Sequence, residues 1–99
     1  MRGKGQIMKE KKLRHRIIFE CLEKIGPKYP ILFWEVSGST ARGDFSPEAD
    51  IDLAIELEVL AEAKTGEEKI RIWYEFEEWI KPILQEFKNK YGIEIDLSW

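Results

Sequence analysis

Hydrophobic positions recur along this chain with two different periods. Leu13, Ile17, Cys21, Leu22 and Ile25 stand mostly three or four places apart with charges between them, a spacing that predicts an amphipathic helix. Gly26-Pro27 stops it. Ile31 to Val36 is a nearly continuous apolar run and predicts a short buried strand, ended by Ser37-Gly38-Ser39. Thr40 to Gly43 has room for one helical turn, and Asp44 to Glu48, with Ser46-Pro47, reads as a loop. From residue 50 to 57 the period becomes two: Ile51, Leu53, Ile55 and Leu57 share one face, and Asp50, Asp52, Ala54 and Glu56 share the other. Thr65 with Glu68 three places on is a capping-box pair. It predicts a long helix whose core stripe is Trp73, Phe76, Ile80, Ile83 or Leu84, and Phe87. Pro82 lies inside that helix and predicts a kink or a split near Glu78, because it lacks an N–H and its ring crowds the preceding turn. Tyr91-Gly92 predicts the stop, and Ile93, Ile95 and Leu97 alternate with Glu94, Asp96 and Ser98 as a last strand.

Helix, strand, turn, strand, helix, strand is the order of an α/β or α+β two-layer domain with a small mixed sheet packed against helices. Ninety-nine residues suit one domain, here a basic arm and helix over 1–26 and a core over 31–97. No apolar run approaches the roughly 20 residues that cross a bilayer. The basic N-terminus has no apolar signal core, so the expectation is a cytoplasmic protein without membrane association. Cys21 has no second cysteine to pair with and falls on the helical apolar face, as a core residue would.

Charge is unevenly placed: residues 1–16 carry +6 and the remaining 83 carry −9. The basic arm is either a solvated first helix or a contact for RNA, a nucleotide or an acidic partner. The acidic body argues against a broad nucleic-acid footprint. His15, the only histidine, sits in that arm and takes no catalytic role, and Glu35 and Glu94 read as ordinary polar strand positions.

The chemistry is concentrated in three places. Gly38-Ser39 follows the first strand, Asp50-Ile-Asp52 opens the second, and Asp96 lies on the third. Taken singly, Gly-Ser is a turn, Asp-x-Asp a solvated strand face and Asp96 a surface carboxylate. Taken in order on predicted strands, they are the parts that hold a nucleoside triphosphate on divalent metal. Carboxylates two apart on a strand leave the same face about 7 Å apart at the backbone. Hard oxygen donors suit Mg²⁺, and two such ions clamp the attacking and leaving oxygens of a phosphoryl displacement. Gly38, without a Cβ, lets a phosphate approach the backbone, and Ser39 offers a hydroxyl and an N–H. Arg42 is placed either to pair with a phosphate or to bridge to Asp44 or Glu48.

The run GSTARGDFSPEADIDL over residues 38–53, with Asp96 on a following strand, resembles the nucleotidyltransferase superfamily of DNA polymerase beta, and its minimal nucleotidyltransferases (MNT proteins) most of all. The resemblance covers about residues 31–97. It implies a metal-dependent enzyme with Asp50, Asp52 and Asp96 as catalytic metal ligands: Asp50 and Asp52 on both Mg²⁺ ions (Mn²⁺ substituting), Asp96 on the ion that activates the nucleophile. Gly38, Ser39 and Arg42 would bind the nucleotide, with ATP as substrate. It further implies the antitoxin of a toxin–antitoxin pair, passing AMP to a tyrosine of an all-helical HEPN-domain RNase. A non-catalytic module that masks such a partner is the alternative. Transfer to a small molecule or to RNA fits less well, since those relatives carry extra substrate domains. Ser37 departs from the family, which commonly has an aromatic residue before the glycine. Only three residues follow Asp96, so the expectation is that few residues select the nucleotide or that a partner chain completes the site. Trp73, Tyr74, Phe76, Trp79 and Phe87 are more large aromatics than one helical stripe can bury, which points to a protein partner or self-association.

Overall fold

A computed structural model describes residues 4–38 and 49–99. Helix α1 (Lys4–Ile25) leads to strand β1 (Ile31–Ser37), then β2 (Ile51–Leu57), a short helix α2 (Glu58–Glu62), the long helix α3 (Gly66–Tyr91) and strand β3 (Ile95–Ser98). The strands form one mixed sheet in the order β1-β2-β3. β1 runs antiparallel to β2, and β3 runs parallel to it. A parallel neighbour requires a crossover, which α2 and α3 supply.

β2 organises the core. Ile51, Leu53, Ile55 and Leu57 are all buried and meet Ile17, Ile18, Cys21 and Ile25 of α1 and Phe76, Ile80 and Phe87 of α3. Their alternation turns Asp52, Ala54 and Glu56 to the opposite face of the sheet, which is how one strand serves both a core and a site. α1 closes where Gly26 and Tyr29 donate to the Leu22 and Ile25 carbonyls, at 2.9 and 2.8 Å. α3 starts on the expected cap: the Glu68 N–H donates to Thr65 Oγ1 and the Glu68 carboxylate accepts from the Lys64 N–H, both at 3.1 Å. It ends at Gly92, whose φ of 68° places it in the left-handed region that favours glycine.

Four expectations need correction. β1 is not a buried strand: Leu32 and Phe33 are each 57% exposed and Trp34 41%, because β1 is an edge of the described sheet and pairs only with β2. α3 does not split near Glu78 but continues through Pro82. Ile80 and Phe87, buried on either side of that proline, tie both halves of the helix to one core, and packing of this kind outweighs local propensity. Trp73 is 54% exposed and lies off the stripe made by Phe76, Ile80, Ile83, Leu84 and Phe87. The chain after Leu57 turns directly into α2, which has no side-chain cap and so left no signal in the sequence. Trp79 and Trp99 join Tyr29 around Phe76, with ring centroids 5.0–6.0 Å from it, as an aromatic extension of the core. Among the described residues no helix is long and apolar enough to cross a membrane.

Candidate active site

The polar face of the sheet brings two predicted site residues, Asp52 and Asp96, into one row with Ser37. Asp52 pairs with Ser37 of β1 on one side and with Asp96 of β3 on the other. Paired residues on neighbouring strands are about 4.8 Å apart and share a face, so the Asp52 and Asp96 carboxylates are adjacent. Ile51 and Ile95, paired one step earlier, are both buried, which fixes the outward direction of the two aspartates. Asp50 stands immediately before β2, two places from Asp52. Asp50 and Asp96 are exposed and Asp52 is half-buried.

Gly38 follows directly on Ser37 at the end of this row. Its φ is 68°, a conformation L side chains rarely adopt. A Cβ built there would collide with Asp52 Oδ2 and lie 3.3 Å from its Cγ. The glycine therefore does two things: it turns the chain, and it leaves the space that the Asp52 carboxylate occupies. Ser39 and Arg42, the other expected nucleotide contacts, lie outside the described residues, as do Asp44, Glu48 and the expected turn at 40–43.

The donor set fits a hard divalent cation in kind: carboxylate oxygens on adjacent strands, one of them in the space that Gly38 leaves. Among the described residues no group of three or more His, Cys, Asp or Glu is gathered tightly enough to hold an ion. Asp52 and Asp96 share an open face of the sheet rather than a closed cage. Asp52 on β2, Asp50 just before it and Asp96 on β3 are the residues that would hold Mg²⁺.

One residue at this end of the sheet escaped the sequence reading. Arg14 is only 1% exposed, and its Nη2 donates to the Ala49 carbonyl at 2.7 Å. It stands three, four, seven and eleven places before Ile17, Ile18, Cys21 and Ile25, in the core stripe itself. A cation in that register is the signal that could have found it. His15 is exposed, as expected, and shares a cavity of about 480 Å³ with Lys11, Phe19, Trp34 and Glu35 between α1 and β1. Cys21 is fully buried, and burial pushes its thiol up to about 11, so it is no nucleophile at neutral pH.

The model of a family described as nucleotidyltransferase domain matches residues 15–98, a span that takes in Gly38, Asp50, Asp52 and Asp96. No curated protein and no solved structure matches.

Proposed function

The chain belongs to the nucleotidyltransferase domain family, and from that premise we propose that it transfers AMP from ATP to a hydroxyl of a protein partner, in the manner of an MNT antitoxin silencing a HEPN-type RNase. The observation that carries the reading is the row Ser37–Asp52–Asp96, closed at one end by Gly38. In the reaction the acceptor hydroxyl oxygen forms a bond to the α-phosphorus and gives up its proton to solvent, the bond from that phosphorus to the oxygen bridging to the β-phosphate breaks, and pyrophosphate leaves with that electron pair. Mg²⁺, when bound, neutralises the charge that gathers on the phosphate oxygens. Gly38 leaves room for the Asp52 carboxylate at the end of β1. Asp50 and Asp52 orient the triphosphate from β2. Asp96, at the outer edge strand β3, faces the side from which an acceptor hydroxyl reaches the α-phosphorus.

A protein acceptor is favoured by apolar surface elsewhere on the chain. Leu32, Phe33, Trp73 and Tyr74 are each more than half exposed, and apolar surface of this kind marks interfaces. The same surface supports a second reading, in which the chain masks its partner by contact alone. The two separate in one experiment. The protein is incubated with labelled ATP, Mg²⁺ and the product of the adjacent gene, and the partner is examined by mass spectrometry. An added AMP on a partner tyrosine supports transfer. No adduct, with full inhibition of the partner by the Asp50→Asn, Asp52→Asn variant, supports masking instead.

A further inference from the structure

Asp50 is held by its neighbours in the chain on both sides. The Ile51 N–H donates to the Glu94 carbonyl at 2.9 Å, and the Ala49 carbonyl accepts from Arg14 at 2.7 Å. The Ala49 carbonyl and the Asp50 N–H belong to one planar peptide unit, so a bond to that oxygen sets the plane that carries the Asp50 Cα. The bond at Ile51 sets the plane that leaves it. Two anchored planes leave the Asp50 backbone little rotational freedom, even though the residue precedes the regular strand and its side chain is exposed.

The anchor on the Arg14 side is an unusual choice for a core. The residue reaches a carbonyl 35 positions away in the chain, and burial of a guanidinium is costly unless it is well bonded. An apolar side chain in the α1 stripe would pack against Ile17, Ile18 and Cys21 without that cost, but it could not hold the Ala49 carbonyl. We propose that Arg14 is a positioning residue: it fixes the Ala49–Asp50 peptide and thereby holds the Asp50 carboxylate where it binds a divalent cation. The proposal rests on the reading of Asp50 as a metal ligand.

The test is a double-mutant cycle on the full chain, with Mn²⁺ as the probe. Arg14→Met and Arg14→Lys are each made alone and with Asp50→Asn, and Mn²⁺ affinity is read by calorimetry in the presence of ATP. Loss of a group that orients a metal ligand costs about tenfold or more in metal affinity. That loss is expected from Arg14→Met in the wild-type background, with a smaller one from Arg14→Lys, which keeps the charge but not the fork. With Asp50→Asn already present, the same changes should move affinity by less than about twofold, since the residue they act through is gone. Hydrogen exchange at Ile51 should quicken in Arg14→Met without metal. Equal affinity losses in both backgrounds, or failure of both Arg14 variants to fold, would overturn the proposal by assigning Arg14 to the fold as a whole. A wild-type chain that binds Mn²⁺ while Arg14→Met binds equally well overturns it alone. A wild-type chain that binds no Mn²⁺ overturns the metal site and the proposal together.

Discussion

Replacing Gly38 by alanine separates the fold from the site. The new Cβ meets two obstacles. The first is the backbone: at φ 68° an L residue is strained by roughly 1–2 kcal/mol relative to glycine. The second is Asp52 Oδ2, which occupies the space the Cβ would take. That oxygen is the far end of a short side chain, so Asp52 can turn aside, at a cost of about 0.5–1.5 kcal/mol if it leaves its rotamer well. In a domain of this size each kcal/mol lowers the melting temperature by about 4–8 °C, so Gly38→Ala should still fold, melting roughly 6–28 °C lower. The larger effect falls on the site, because the variant folds by moving the carboxylate that the site needs. Affinity for Mn²⁺ with ATP should drop about tenfold or more, on the scale seen when a metal ligand loses its orientation. Asp52→Ala provides the control. The Asp52 Cβ is 3.7 Å from the built position, an ordinary contact, so with Asp52→Ala present the glycine substitution should cost only its backbone strain and change metal affinity no further. Circular dichroism melts and calorimetry on the four proteins give both quantities. Reduced stability with unchanged metal affinity in Gly38→Ala would refute the claim that Gly38 makes room for a working Asp52.

Two further outcomes test the frame around the site. Thr65→Ala removes the hydroxyl that accepts from the Glu68 N–H and should cost about 1 kcal/mol, seen as a lower melting temperature with metal affinity unchanged. Cys21 should resist iodoacetamide at pH 8 in the folded chain and react readily in urea; and because burial raises its thiol from 9.0 to about 11, its contribution to stability is flat below pH 9 and lost as pH climbs from 9 toward 11.

What the sequence could reveal was set by how local each signal is. β2 was legible because a strand with one wet face alternates strictly, and α3 because Thr65, Glu68 and Gly92 mark its ends within a turn. The shared face of Asp50 and Asp52 follows from the same alternation. That Asp96 stands beside Asp52 depends on β3 pairing with β2, which no local signal announces and only the register shows. The exposure of β1 was hidden, since an apolar run looks alike on an edge strand and in the middle of a sheet, and only the strand order distinguishes them. Pro82 misled for the opposite reason: its local effect is plain, and the core contacts that override it are distant in sequence. Arg14 was counted with the basic arm because its partner, the Ala49 carbonyl, is a backbone atom 35 residues away. Its place in the apolar register marks its burial, but no side-chain pattern names the carbonyl it bonds.

If Asp50, Asp52 and Asp96 hold a nucleotide on divalent metal, removing two of the three carboxylates removes its binding. Calorimetry with Mg²⁺ and ATP on the wild-type chain and on the Asp50→Asn, Asp52→Asn variant tests it most directly. The wild type should bind, and should melt higher with ligand than without it, since a ligand that binds only the folded chain stabilises it by mass action. The variant should fold to the same secondary structure, show no such gain, and give no measurable heat of binding. Equal binding of Mg²⁺ and ATP by the two proteins would contradict the account.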